Sequence, residues 1–444
     1  MEAYRIMKTI IFVYPKIDFE DNYPCSWIPY SIISLGSMIS DSEYDVLIFD
    51  ENKNSKGLFD EYLRKKNVLA VAFSIMTGGS QIENALELAE RVKKYNAEIK
   101  TIFGGPHVNV LPIETLQHTL VDIVSVGPGQ ESIYELVLAL DKKMDLSLVS
   151  GIYYKNSGMI CAGLAQKSMK ELSPYDFSLL DLNDYIQYDA TIADRTINYI
   201  ASQGCAYACT FCYECTYKQK YYKMPLKNVQ KDLQFFVEKY HVNGIKFYDA
   251  DLFIDIKNAI AISNMLKEYK LNWAASIHPS DILRAEKNGR NELLENIKNS
   301  NCRRLLMGIE SGSNRILKDI IKKRVSKEEI LFVAKRIAEQ GILGSYTFMV
   351  GIPNETEEEQ KETFELIQQL WNLSPRPETN VHIYLPYPGT PLYEEALHMG
   401  FVPPKFLEDW SSFSYYRAIT PWTSIELEKT IKEFTSLIDK KVVM

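Results

Sequence analysis

The chain has 444 residues, 46% of them hydrophobic and 12% aromatic, so it can bury a large core and its length suggests two or three domains. A net charge of −8 with no basic block lacks the electrostatic footprint of a nucleic-acid binder and points to a small-molecule or peptide partner. Seven cysteines, three of them crowded into one short stretch, do not read as a secreted disulfide framework and predict a reducing, cytoplasmic setting.

The amino-terminal MEAYRIMKTIIFVYP has too short an apolar run for a signal peptide and no small-residue cleavage site after it. The longest uncharged stretch, residues 22–40, approaches the length of a membrane span. Pro24 and Pro29 interrupt it, and Ser31, Ser34 and Ser37 would make one face polar, so no membrane association is expected.

The first part of the chain alternates short β-branched runs with amphipathic stretches, the pattern of a parallel sheet covered by helices on both faces. The strands are expected at TIIFVY (9–14), DVLIFD (45–50), VLAVAFS (68–74), IKTIF (99–103) and DIVSV (122–126), with helices over 28–40, 80–95 and 130–141. They predict an α/β, doubly wound, Rossmann-like domain over residues 1–145. Ligands of such sheets bind beyond the carboxyl ends of the strands, where this sequence gathers SIMTGG (74–79), GGPH (104–107) and GPGQE (127–131). Glycines there let backbone approach a ligand closely. Each loop alone reads equally well as a tight strand-to-helix turn, and none is a GxGxxG dinucleotide fingerprint.

Together with WIPYSIISLGSMIS (27–40), these turns resemble the cobalamin-binding domain of class B radical S-adenosylmethionine (SAM) enzymes, which carry a GGPH-like and then a VGxGE-like turn. The resemblance implies cobalamin contacts from Ser74, Gly104, Gly105, Gly127, Gly129 and Glu131. The sequence departs from many cobalamin proteins in one respect: the loop PKIDFEDNYPCSWIP (15–29) has no DxHxxG and no histidine. His107, in the GGPH turn, receives no ligand role from the family. Cobalt without an imidazole beneath it is therefore expected, a state that favours low coordination and a nucleophilic metal.

Residues 146–190 (including GIYYKNSG and ELSPYDFSLLDLNDY) read as a linker, and a second α/β pattern fills 191–400. Its strands are expected at INYIASQGC (197–205), GIKFYDADL (244–252), LNWAASI (271–277), RRLLMGIESG (303–312), SYTFMVGIP (345–353) and NVHIYLP (380–386). Six β/α units make a partial (β/α)6 barrel, with its chemistry at the carboxyl ends of the strands.

Directly after the first of these strands comes GCAYACTFC (204–212). A structural zinc site wants four protein ligands and a redox dithiol wants one CxxC pair. Three soft thiolates suit a metal site with one position left open. The C-x3-C-x2-C spacing of Cys205, Cys209 and Cys212, with Phe211 just before the last cysteine, resembles the radical SAM signature. The resemblance implies that the three thiolates hold three irons of a [4Fe–4S] cluster and that the fourth iron takes the amino and carboxylate groups of SAM.

Other positions match residue by residue. Asp249 and Asp251 lie two apart at a strand end, on one face, as the family's acidic residues do near the SAM amino group; solvated turn carboxylates are the alternative. Glu310 matches a position that hydrogen-bonds the SAM ribose. Gly351, Pro353 and the YLPYPGTPLY turn (384–393) resemble strand ends that cover the adenine. Relatives often have arginine near Ser276 and His278, which leaves the roles of these two open. Cys215 reads as a bystander, Cys161 and Cys302 as structural thiols, and Cys25 sits in the loop expected to approach the corrin. No cysteine follows residue 302, so segment 401–444 has no further cluster and reads as a short helical cap, placed over the substrate.

The whole resemblance implies an enzyme that reductively cleaves SAM to a 5′-deoxyadenosyl radical. It would methylate an unactivated carbon or phosphorus centre through methylcobalamin, with electrons from a flavodoxin- or ferredoxin-type donor. Cobalamin-dependent cyclisation, rearrangement or other alkyl transfer is the alternative. An RNA methylthiolase would need a second cysteine triplet and a basic surface, and a non-enzymatic cobalamin sensor would not need Cys205, Cys209 and Cys212.

Overall fold

Runs of β-branched and aromatic residues become strands buried on both faces, as parallel sheets require. In the first unit these are Lys8–Tyr14 (β1), Asp45–Asp50 (β2), Asn67–Ser74 (β3), Lys100–Gly104 (β4) and Ile123–Ser125 (β5). The structure, a computed structural model, describes residues 7–18, 26–217, 220–289, 293–373, 378–413, 420–424, 426–427 and 429–431. It divides into Met1–Tyr185 with Pro403–Ser414, and Ile186–Val402 with Tyr415–Met444.

In the first unit β2, β1, β3, β4 and β5 lie side by side in parallel. The order reverses between β1 and β3, and that reversal opens a crevice at the carboxyl ends where doubly wound sheets bind ligands. Helices Tyr30–Ser37, Ser80–Tyr95 and Ile133–Lys142 cover the sheet.

Two expectations need correction here. The stretch 146–190 is not a free linker: Ile152–Asn156 (β6) and Met159–Ala162 (β7) continue the sheet as antiparallel strands, because Ile152 and Tyr154 face its core. The chain after them stays docked, with Tyr185 donating to Asp50 at 3.0 Å and Asp176 N–H to the Ser37 hydroxyl at 2.7 Å. Nor does 401–444 act as one cap. Residues 403–414 return to the first unit, where the Trp410 carbonyl accepts from Gly79 N–H at 3.0 Å. Described residues further on belong to the second unit, where Leu427 and Ile431 pack with Val350 against Val381 and Ile383.

The second unit is built on Gln187–Asp189 (β8), Ala193–Tyr199 (β9), Ser202–Gly204 (β10), Tyr221–Lys223 (β11), Gly244–Phe247 (β12), Asn272–Ser276 (β13), Cys302–Glu310 (β14), Leu343–Val350 (β15) and Glu378–Ile383 (β16). Strands β9 and β12 to β16 are parallel neighbours in chain order, the six strands of a partial barrel, with β8 added antiparallel at one edge. The two edges approach each other through Arg304, which reaches Asp189 at 3.0 Å and Glu378 at 3.2 Å. The sheet thus curls toward closure at its amino ends and keeps its carboxyl ends for chemistry. Among the described residues no helix is long and apolar enough to cross a membrane.

Candidate functional site

The cysteine-bearing loop joins β10 to β11, which pair as a two-stranded ribbon. Thr210, between Cys209 and Cys212, fixes its far side: its N–H donates to the Ile321 carbonyl at 3.1 Å and its hydroxyl to Ile320 at 2.8 Å. Cys209 is buried, and Cys205, Cys212 and Cys215 are half-buried. Phe211 is half-buried on the same loop. Burial pushes the thiols of Cys205 and Cys212 up to about 12 and raises Cys209 as well. As free thiols they stay protonated, and only coordination to a metal would ionise them. Among the described residues no three His, Cys, Asp or Glu converge on a single ion. An iron–sulfur cluster does not ask for that, because each thiolate bonds its own iron, and one buried and two half-buried soft donors fit such a cluster.

Beyond β12 the two aspartates part company. Asp249 is buried and fully occupied: Oδ1 accepts from the Ser202 hydroxyl at 2.5 Å and Oδ2 from Ala201 N–H at 3.1 Å. Asp251 accepts from Phe253 N–H through Oδ1 at 2.9 Å, while its Oδ2 is buried without a hydrogen-bond partner. Desolvation, then the neighbouring Asp281 carboxylate, raises the Asp251 carboxyl well above the usual range. Asp281 pairs with Arg284 at 2.7 Å and accepts from the Tyr207 hydroxyl at 2.6 Å. Tyr207, inside the cysteine loop, stacks on His278 with ring centroids 3.9 Å apart. His278 caps helix Pro279–Lys287 by accepting from Ser280 N–H at 3.1 Å, and its Nε2 is buried without a partner. Ser276, half-buried, ends β13.

Glu310 closes β14 with φ +74, a left-handed conformation that is costly for a residue with a Cβ and is typical of sites held by their surroundings. Its carboxylate folds back over Gly308, where a Cβ would stand 2.2 Å from Oε1. Lys323, itself buried, donates to Oε1 at 3.3 Å. At the end of β15, Gly351 N–H donates to Glu355 at 2.6 Å and the Gly351 carbonyl accepts from Trp422 at 2.8 Å. Asp251, Glu310 and Gly351 thus stand with the cysteine loop at the carboxyl-end side of the barrel. Lys323, Tyr207 and Asp281 are additions that motif matching missed. The only sequence trace of Lys323 is the basic run KKR at 322–324, which reads as surface charge.

In the first unit, Ser74, Gly104 and Gly105 meet at the carboxyl ends of β3 and β4. Gly105 has φ +96, and a Cβ there would lie 2.7 Å from the Ile75 carbonyl oxygen. Gly127 N–H donates to Asn109 at 2.6 Å, and Gly129 and Glu131 form one 3-10 turn after β5. Close to these ends are orphaned polar atoms: the Thr77 hydroxyl and both ring nitrogens of His107 are buried without partners. Burial lowers His107 to about 4, and its ring meets Trp410 edge-on at 5.4 Å. A glycine-lined crevice with unmet hydrogen-bonding groups fits a large amide-rich ligand such as cobalamin. Cys25 lies outside the described residues; Cys161 packs at the edge of the first core, and Cys302 is buried at the start of β14.

Residues 199–367 match the family model of the radical SAM superfamily, and residues 22–137 that of the B12 binding domain. An uncharacterized methyltransferase of Pyrococcus horikoshii is 25% identical over 414 residues, covering 92% of this chain and 84% of that protein. The anaerobic magnesium-protoporphyrin IX monomethyl ester cyclase of Rubrivivax gelatinosus is 25% identical over 404 residues, 87% of this chain and 69% of the other. The solved structure of the radical S-adenosylmethionine methyltransferase TsrM from Kitasatospora setae, with cobalamin and [4Fe–4S] cluster bound, superposes with a TM-score of 0.70 at 14% identity, over 90% of this chain and 76% of TsrM.

Proposed function

Joining a B12-binding domain to a radical SAM domain, this chain is a cobalamin-dependent radical SAM enzyme, and we propose that it methylates an unactivated carbon or phosphorus centre of a small molecule or peptide. The observation that carries this reading is the co-occurrence, in one chain, of the Cys205–Cys209–Cys212 loop at a barrel end and a glycine-lined crevice in a B12-type sheet. When bound, the cluster supplies the electron that cleaves SAM and cobalamin supplies the methyl carrier, and the protein contributes positioning and electronic tuning.

In this proposal Cys205, Cys209 and Cys212 hold the cluster, and Phe211 packs beside it. The partnerless Oδ2 of Asp251 accepts from an N–H of the SAM amino group, and the positive sulfonium of SAM would favour the ionised carboxyl over the protonated one. Asp249, with both oxygens engaged, fixes Ser202 and hence the root of the cysteine loop. Glu310 accepts from the ribose hydroxyls, and the Gly351 backbone lies along the adenine. Ser74, Gly104, Gly105, Gly127, Gly129 and Glu131 line the cobalamin crevice. Electrons come from a flavodoxin- or ferredoxin-type donor in the cytoplasm. The net charge of −8 supports a substrate that is not a nucleic acid.

A cobalamin-dependent cyclisation is the second reading, supported by the similarity to the Rubrivivax cyclase. Anaerobic incubation of the cluster- and cobalamin-loaded chain with methyl-labelled SAM and cell extract separates the two. A labelled product supports methyl transfer. Release of 5′-deoxyadenosine with an unlabelled, structurally altered product supports cyclisation.

A further inference from the structure

Lys323 is almost wholly buried, with a side-chain exposure of 5%, and among the described residues it is the one buried lysine. Burying an ammonium is costly unless it is paired, and the fold goes to unusual lengths to place this one. Residues Ile316–Ile320 form a π-helical turn, a rare form frequent at functional sites. Lys322 and Arg324, on either side of Lys323, both take left-handed backbone at φ +52 and +61. Such strain persists only where the surroundings over-determine it.

Two anchors fix where the ammonium lies. Glu310 Oε1 is 3.3 Å from Nζ, and Nζ stands 3.5 Å from the point where a Cβ on Gly308 would be. On the other side, the Ile320 and Ile321 carbonyls leading to Lys323 take both hydrogen bonds of Thr210, between two of the cysteines. Burial would lower the lysine, but the Glu310 carboxylate beside it holds it raised. Glu310 alone does not use the three donors of an ammonium.

We propose that Lys323 is a positioning and electrostatic residue of the cluster site, clamping Glu310 in its left-handed turn and setting a lasting positive charge beside Cys209 and Cys212 that raises the reduction potential of the cluster. This rests on the reading of Cys205, Cys209 and Cys212 as cluster ligands. Net charge close to an iron–sulfur cluster is one of the levers on its potential. The reaction concerned is one-electron reduction of the oxidised cluster by a low-potential donor, and a nearby cation favours the more negative, reduced form.

The test is an anaerobic redox titration of cluster-loaded protein without SAM, followed by electron paramagnetic resonance of the reduced cluster, in the unsubstituted chain, Lys323→Met, Lys323→Arg and Glu310→Gln. Lys323→Met should lower the ratio of reduced to oxidised cluster at a fixed potential about tenfold, roughly 59 mV for a one-electron couple. Lys323→Arg should restore it. Glu310→Gln removes the neutralising carboxylate and should move the ratio the other way, which a merely structural role would not do. If Lys323→Met takes up no iron, Glu310→Gln decides alone: a rise sustains the inference, and no change or a fall overturns it. A normal cluster with the same potential in Lys323→Met and Glu310→Gln overturns this inference alone. Absence of a reducible cluster in the unsubstituted chain overturns the ligand reading beneath it.

Discussion

Asp249 accepts from the Ser202 hydroxyl at 2.5 Å and so ties the end of β12 to the root of the cysteine loop, whereas Asp251, two residues on, keeps one oxygen partnerless. The two substitutions should therefore separate. Asp249→Ala leaves buried donors on Ser202 and Ala201 unmet and should cost on the order of 3 kcal/mol of stability. Asp251→Asn should leave the melting temperature within a few degrees of the parent and weaken SAM binding by about 1.5–3 kcal/mol, read by equilibrium dialysis. Equal losses of stability in both variants contradict this division.

Cluster ligation should be confined to three thiols. Replacing Cys205, Cys209 and Cys212 with alanine should abolish the broad iron–sulfur absorbance after anaerobic reconstitution, and Cys215→Ala should keep it. Cys215 lies on the 3-10 turn Tyr213–Tyr217 directly after Cys212, its N–H bonded to the Cys212 carbonyl at 3.1 Å, and is the obvious rival. Iron lost from Cys215→Ala is the outcome that removes the assignment.

His107 should make the chain acid-labile. Its ordinary value of 6.5 falls to about 4 in the fold because burial disfavours the imidazolium. Between these values the unfolded chain binds the extra proton, so this contribution to stability is complete above pH 6.5 and is lost as pH falls toward 4, on the order of 3 kcal/mol in all. Asp232 and Glu355, raised to about 7 by burial, act in the opposite sense over the same range. The informative quantity is therefore the difference between the unsubstituted protein and His107→Phe in melting temperature at pH 7 and pH 4.5. The variant should lose less on acidification, and parallel pH profiles rule the effect out.

Cobalamin bound to the first unit should lack a protein nitrogen on cobalt. No histidine lies in residues 15–29, and His107 is fully buried, with its ring against Trp410. Electron paramagnetic resonance of the Co(II) form should show cobalt lines without nitrogen splitting. Splitting that disappears in His107→Ala makes the GGPH turn a ligand-bearing loop instead.

Much of this architecture is legible locally. The five parallel strands of the first sheet are apolar runs, the six of the barrel carry apolar stretches, and the cysteine loop stands out by its spacing and its resemblance to the radical SAM signature. What escaped depends on contacts distant in sequence. β6 and β7 look like hinge because only Ile152, Tyr154 and the partly buried Cys161 pack on the core, while Lys155, Asn156, Met159 and Ile160 are exposed. The strand expected over 197–205 divides into β9 and β10, because the chain turns at Ile200 and Ala201 to meet Asp249. Lys323 looks like surface charge until the π-turn carries it under Glu310. His278 left two roles open by sequence, and its capping of the following helix emerges only from the fold.

The return of residues 403–414 bears on how the protein is made. Trp410 and Phe413 cover His107, Gly78 and Gly79, so the first unit is completed only after most of the second has been synthesised. The 217 residues Ile186–Val402 separate its main body from the segment that completes it, a delay of about 10–45 s at ordinary rates of synthesis. Over that interval the nascent sheet lacks the Trp410 and Phe413 cover over His107, Gly78 and Gly79.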